Sequence, residues 1–505
     1  MSQLSQKIVN FLNKILLILL TILTIFVGYP IILFIFLPIW IYRYVLEYIV
    51  PKLDSRFSHI LKGMGALFSA HTPYTKPTSV VITNFYLETP LDKNKFINIF
   101  NSKVFPLQNK NGSPVYRELK QRIVQKFGYN FWYDVDKFHL SDHIKLLHEY
   151  ENEPERSVTQ LEIEKLAYKL TTRPFHPDRS PWELIIVNNL THDNDPLIKS
   201  VLITRFHHCL ADGVSLIKLL ERVGLKPWKD PFSSSLKVNK LGCFTRMILI
   251  PLRLLIEGPY QAIKLIKFSN DDNDWMKIVL SKPTGFKRIK DTDFIPISTL
   301  KAIKNRNSHE NLNIGSIIVA LVVHATVEAM KRRNVKGNFS KLHVTLPWPL
   351  PNHPDGVCNH WTVVKIPVLV DPNDILQTVC NVAREFEKLK HSIQPLVLDA
   401  IANLSGSLPT PWIPKMDSLL TSTCIMSNVA GPVEAVDIAG CTVRRITVAG
   451  STAPGYAVGS LCLSYNGQIR ITIGGDICNL NQSDDAVFLA NSCEKIVQEL
   501  AQRMS

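Results

Sequence analysis

From Ile15 to Tyr42 the chain carries no charged side chain: ILLILLTILTIFVGYPIILFIFLPIWIY, 28 residues. As a helix this run is about 42 Å long, against a bilayer hydrocarbon core of about 30 Å. One tilted or kinked transmembrane helix fits it. So does a re-entrant hairpin broken at Gly28-Tyr29-Pro30 and again at Pro38. A signal peptide fits poorly, because the run far exceeds a normal h-region and no small-residue cleavage site follows. Trp40, Tyr42, Tyr44 and Tyr48 read as an interfacial belt, with Arg43 beyond. Lys7 and Lys14 flank one side, and Arg43, Lys52 and Arg56 the other, so charge leaves the topology open. Residues 1–60 are therefore expected to form a membrane anchor.

The chain has 505 residues, too many for one ordinary core, so two or more lobes are expected. Beyond Pro77, SVVITNFYLE reads as a strand and LDKNKFINIFNSKVF as an amphipathic helix. SPWELIIVNNL and LIKSVLITRFHHC read as two strands joined like a hairpin. IGSIIVALVVHATVEAMKRR is a helix pattern, and KLHVTLPWPL, HWTVVKIPVLV, RRITVAG, SLCLSYNG and IRITIGGD are strands. SDDAVFLANSCEKIVQELAQRM closes the chain as an amphipathic helix. Alternating strands and helices predict two α/β lobes, at 75–230 and 293–505. Between them, residues 231–292 hold loop-like sequence and the run GCFTRMILIPLRLLIEGPYQAIKLIKF. Its charges count against a clean span. A basic amphipathic segment on a membrane surface and an inter-lobe helix packed on protein both fit.

Lys and Arg exceed Asp and Glu by 57 − 43 = 14. Such an excess suits an anionic partner: a membrane surface, nucleic acid or a phosphorylated cofactor. No zinc-knuckle spacing, RNP-like aromatic run or long basic block supports nucleic acid. The nine cysteines are odd in number, scattered and without a CxxC pair. They read as free thiols in a reducing compartment. The N-x-S/T matches at Asn111, Asn189, Asn338, Asn403 and Asn481 are accordingly read as chance matches in a cytosolic domain.

RFHHCLADGVS, Arg205 to Ser215, lies at the C-terminal end of an expected strand, with the helix LIKLLERVG after it. An imidazole there, rigid behind and open in front, is a candidate general base. Adjacent strand residues point to opposite faces, so His207 and His208 cannot both hold one metal ion, and only one faces the cleft. Asp212 could accept from an imidazole or fix the loop, and Gly213 allows a tight turn or a close backbone approach. No G-x-S-x-G elbow supports a serine triad, and Cys209 reads as a buried thiol.

HHCLADG, His207 to Gly213, resembles the HHxxxDG signature of the CoA-dependent acyltransferase superfamily. Other stretches resemble its bifunctional wax ester synthase/diacylglycerol acyltransferase family. FWYDVDKFHLSDHIKLL is similar to the region around a W…F-x-x-x-x-H pattern. RSPWELIIVNNL is similar to a PLWE segment, with Ser180-Pro181 for Pro-Leu. CIMSNVAGPVEAVDIAGCTV, Cys424 to Val443, resembles an SNVPGP motif with Ala430 for proline, and SLCLSYNGQIRITIGGD resembles the strand pair that follows. Five pieces in order, from about residue 75 to the end, make the resemblance specific. The DFGWG of plant BAHD enzymes is absent, and no carrier-protein neighbour of a condensation domain is present.

The resemblance implies two similar chloramphenicol-acetyltransferase-like α/β lobes with a central tunnel. It implies acyl transfer from acyl-CoA, a co-substrate, to a lipid alcohol or diacylglycerol, with no bound cofactor and no metal. It makes His208 the general base, His207 a packing residue, Asp212 a loop brace and Gly213 the residue that leaves room beside the base. For Asn428 it leaves two roles open: orienting its loop or donating to the oxyanion, or packing at the lobe interface. Trp182 and His143 are architectural. Greasy substrates suit a membrane location: the endoplasmic reticulum, or the plasma membrane, with cytosolic lobes and membrane lipids as partners. The alternative is a membrane-tethered lipid-binding or transfer protein without turnover on the same fold.

Overall fold

The computed structural model describes residues 3–70, 73–192, 195–224, 248–284, 286–307, 310–416, 420–450 and 455–502. Part of the expected 231–292 segment, including Cys243, lies outside the described residues.

The N-terminal run is one continuous helix. α1 (Gln3–Leu23) passes through a π-helical turn, Thr24–Gly28, straight into α2 (Tyr29–Leu53). The hairpin reading is thus corrected. Pro30 sits in the first turn of α2, where proline is tolerated, and Pro38 is carried inside the helix. Phe11–Leu53 is 43 residues long, reaches a mean hydropathy of 2.7 over its most apolar 18 residues, and is long and apolar enough to cross a membrane. The second half docks on the body. Leu46 and Val50 pack with Phe57, Ile60 and Phe131. The Trp40 indole donates to Ser407 Oγ at 3.1 Å. Arg43, expected beyond an interfacial belt, is instead buried and donates to the carbonyls of Leu61 and Gly406, both at 2.8 Å. A buried guanidinium needs such fixed acceptors. The chain then turns at Gly63, whose φ of +50° favours glycine, into the short helix α3 (Gly63–Ser69).

In the N-terminal lobe, β1 (Val80–Leu87), β2 (Trp182–Val187) and β3 (Ser200–His207) form the centre of a six-stranded sheet. β3 lies between the other two and is antiparallel to both. Every residue of β3 is buried, the polar Ser200, Thr204, Arg205 and His207 included. α4 (Gly213–Arg222) follows.

Next comes α5 (Ile250–Lys267). Its buried residues, Gly258, Pro259 and Leu265, lie in the second half, which packs on a later helix; the first half runs beside α1 with Leu252, Leu255 and Ile256 exposed. α6 (Ile314–Arg332) is apolar all round and almost wholly buried, a core helix although long enough to cross a membrane. β4 (Lys341–Pro349), β5 (Trp361–Leu369), α7 (Gln394–Ser405) and β6 (Ser422–Ala430) follow, then β7 (Cys441–Gly450), β8 (Tyr456–Tyr465) and β9 (Gln468–Asp476). The second sheet runs Lys287–Asp291, β9, β8, β6, β4, β5, with Ile295–Pro296 added to β9. β7 leaves that sheet. It pairs antiparallel with β1 and buries Val443 and Ile446 in the N-terminal core. The expected boundary at 293 is therefore crossed: a strand from the second lobe completes the first lobe's sheet. The eight described cysteines are free thiols.

Candidate functional site

β3 ends at His207 and His208 opens the turn that follows, with the two imidazoles in different surroundings. His207 is fully buried, with Nδ1 3.0 Å from Cys209 Sγ and its ring edge-on to Phe175. It packs into the lobe, as its strand position implies. His208 lies on the other side and is partly buried. Its ring stacks on Phe68 of α3, with centroids 4.6 Å apart at 21°, and stands 5.5 Å from Trp361 of β5.

The orientation of the His208 imidazole is set from the opposite lobe. Asn359, just before β5, donates from Nδ2 to the His208 carbonyl at 2.7 Å. Its Oδ1 accepts from the Trp361 indole N–H at 3.1 Å. A carbonyl only accepts and an indole N–H only donates, so these two bonds fix which end of the amide is which. Asn359 Oδ1 therefore faces His208 Nδ1, 3.2 Å away, as an acceptor. Nδ1 must carry the proton, and in the neutral ring the lone pair is left on Nε2. Burial pushes the His208 pKa below its ordinary 6.5, opposed by the charge of Asp212 and the Asn359 bond. The ring is thus neutral at physiological pH, with its unprotonated nitrogen defined.

Asp212 does not touch that imidazole by a hydrogen bond. It caps α4 by accepting from Ser215 N at 2.8 Å. It also accepts from His360 N at 2.8 Å and pairs with His353 Nε2 at 3.0 Å, both from the loop between β4 and β5. Burial would raise the Asp212 carboxyl; His353 and the backbone N–H groups outweigh it and hold it below the usual range. Burial would lower the His353 imidazole, and Asp212 outweighs that and raises it, so the pair is charged. Further bonds tie the same loop down. Asp212 N and Ser215 Oγ both donate to the Cys358 carbonyl, at 3.0 and 2.9 Å. Lys218 Nζ donates to the His353 carbonyl at 2.8 Å.

Gly213 is the first residue of α4 and has no left-handed φ, so the turn does not need it. A Cβ there would meet nothing within 4 Å: the space beside the cap is open. Asn428 lies on β6, its amide nitrogen 3.8 Å from where a Cβ would stand on Gly315, at the start of α6. None of the described contacts joins it to His208. Trp182 and His143 are buried, stacked 4.3 Å apart and bonded to main-chain carbonyls. Among the described residues no group of three His, Cys, Asp or Glu side chains is placed to hold a metal ion.

Sequence reasoning found the motif and missed its partners Phe68, His353, Asn359, His360 and Trp361. The signal available for four of them was the segment PNHPDGVCNHW, a turn-rich loop between two strands that carries His, Asn and Trp. Phe68 had none.

Two family models match this chain: the wax ester synthase/diacylglycerol acyltransferase catalytic domain over residues 84–238, and the WS/DGAT C-terminal domain over residues 357–497. The first contains the histidine motif and the second contains Asn359. Wax ester synthase/diacylglycerol acyltransferase 2 of Arabidopsis thaliana is 23% identical over 352 residues, 62% of this chain and 72% of that one. The solved wax ester synthase/diacylglycerol acyltransferase from Marinobacter aquaeolei VT8 is 15% identical with a TM-score of 0.54, covering 87% of this chain and 99% of its own. Trichothecene 15-O-acetyltransferase from Fusarium sporotrichioides is 12% identical with a TM-score of 0.58, over 89% of this chain and 96% of its own. A starter condensation domain of rhizomide synthetase, solved with C8-CoA, is 11% identical with a TM-score of 0.56, over 89% and 96%. At these identities the structures establish a shared mixed α/β fold.

Proposed function

Since the chain belongs to the wax ester synthase/diacylglycerol acyltransferase family, a family of acyltransferases, we propose that it transfers a fatty acyl group from acyl-CoA to the hydroxyl of a lipid acceptor, diacylglycerol or a long-chain alcohol, with His208 as general base. The observation that carries the assignment is the Asn359 amide, whose two unambiguous bonds leave Nε2 of His208 as the unprotonated nitrogen.

In the proposed step, the acceptor oxygen attacks the thioester carbonyl while its proton passes to Nε2. The tetrahedral intermediate collapses by breaking the carbon–sulfur bond, and the imidazolium returns the proton to the departing CoA sulfur. Bond made, bond broken and proton thus balance within ester and free CoA. Phe68 and Trp361 shield the ring from water, which favours the neutral base. Asp212 acts through the loop: its pairing with His353 and the His360 N–H holds the segment that carries Asn359. We assign Asn428 to orienting the end of β6 beside α6 rather than to the oxyanion. Residues 75–230 and 293–505, sharing β7, are read as two lobes that admit acyl-CoA and acceptor to a tunnel at their junction. The apolar helix Phe11–Leu53 is read as the membrane anchor, with the lobes on the cytosolic face of the endoplasmic reticulum. The excess of 14 basic residues suits both anionic lipid and CoA phosphates.

Membranes expressing the chain, given labelled palmitoyl-CoA with either hexadecanol or diacylglycerol, test this. The expected result is labelled wax ester or triacylglycerol, and the product names the acceptor. No ester from either acceptor, with the protein folded and membrane-bound, counts against turnover and favours lipid binding alone.

A further inference from the structure

We infer that the first half of α5, Ile250 to Ile256, lies inside the lipid bilayer beside the N-terminal helix, so that the protein is seated on the membrane by two helices. The inference rests on the reading that the charge-free run Ile15–Tyr42 enters a bilayer. Three observations carry it.

The first is position. The Tyr29 hydroxyl, near the midpoint of the charge-free run, donates to the Leu255 carbonyl at 3.1 Å. Whatever depth the centre of that run takes, Leu255 shares it. The outward face of α5 at this level is apolar and exposed: Leu252, Leu255 and Ile256 are each about half accessible, and Ile248 and Leu249 extend the same surface.

The second is the backbone. Pro259 lies inside α5 and has no N–H, so the carbonyl four residues earlier, that of Leu255, has no helical donor. Water would satisfy that oxygen at a protein surface. In hydrocarbon it must be satisfied from within the protein. Tyr29 of the neighbouring helix supplies the donor. Thr21 and Thr24 show the same economy, each returning its hydroxyl to a carbonyl of its own helix, at 2.7 and 2.8 Å.

The third is charge. The charged residues of the first half are Arg253 and, one position beyond it, Glu257. They pair with each other at 2.7 Å, one turn apart, so neither ion stands alone. Lys264 and Lys267, which form no ion pair among the described residues, lie in the last turn, at the opposite end of α5. Apolar at one end and basic at the other is the polarity expected of a helix that rises from lipid toward anionic headgroups. The charges that count against a clean span in the sequence are thus arranged for a partial one.

A photo-crosslinking amino acid, benzoylphenylalanine, placed at Leu252, Leu255 or Ile256 of the full-length chain in native membranes tests this, with radiolabelled phospholipid as the probe. Phe34 on the N-terminal helix is the positive control and Val433, an exposed residue of the body, the negative one. The expected result is lipid adducts from Phe34 and all three α5 positions, and none from Val433. Adducts from Phe34 with none from α5, or α5 adducts only to a second copy of the chain, overturn the two-helix seat and leave the anchor standing. Absence of adducts from Phe34 overturns the anchor reading itself, and the two-helix seat with it.

Discussion

His208→Ala is expected to lower kcat/KM for acyl transfer by about 10²–10⁴-fold, the usual loss when a positioned general base is removed. His208→Gln should lose as much, because glutamine fills similar space and cannot take up the acceptor proton. Stability should change little by comparison. Among the described residues the imidazole makes one side-chain hydrogen bond and two ring contacts, so its truncation costs about 1–2 kcal/mol. The check is ester formation by purified protein in lipid or detergent, read beside urea unfolding of the same preparations. A variant that unfolds with the wild type yet forms no ester isolates the base; a variant that keeps turning over removes His208 from the mechanism.

Asp212→Ala should act the other way round, through stability first. It removes the cap of α4, leaves the His353 imidazole buried without its counter-charge, and frees the His360 N–H. Breaking one side of a buried pair costs about 3–5 kcal/mol. Asp212→Asn keeps the capping oxygen and should cost less. The double variant Asp212→Asn, His353→Gln should recover part of the loss, since it leaves no lone charge. The pH dependence follows from the directions of the two shifts. His353 is raised from its ordinary 6.5, so its contribution is complete below that pH and fades as pH rises through the higher folded value. Asp212 is lowered from 3.8, so its contribution is complete above that pH and is lost as pH falls through the lower folded value. The wild type should therefore weaken relative to Asp212→Asn as pH is raised above about 6.5. Urea midpoints of both proteins across that range are the measurement, and parallel curves would remove the pair from the account.

Local pattern carried much of this molecule into its sequence. The uncharged run, the buried strand ending at His207 and the apolar helix Ile314–Arg332 each follow from composition and period within one segment. Strand alternation predicts two imidazoles that face apart, and they do so although His208 lies in the turn just beyond β3. What stayed hidden depends on pairing over long distances. Cys441–Gly450 looks like any other strand, and nothing local says that it crosses to the first lobe's sheet. Asn359 stands 151 positions beyond the ring it orients, so the motif was legible only as half a site. Arg43 was misplaced for the same reason. Its acceptors are main-chain carbonyls at Leu61 and Gly406, which have no sequence signature.

The pH dependence of kcat/KM in the wild type, beside Asn359→Asp, reads the proton on the base itself. A neutral, desolvated His208 held by a neutral amide gives an acid limb with a midpoint below 6.5. A carboxylate at position 359 favours the imidazolium and should move that limb upward. A wild-type limb at or above 7, or one that stays in place in Asn359→Asp, would contradict the assignment of His208 as the base and Asn359 as the residue that sets its proton.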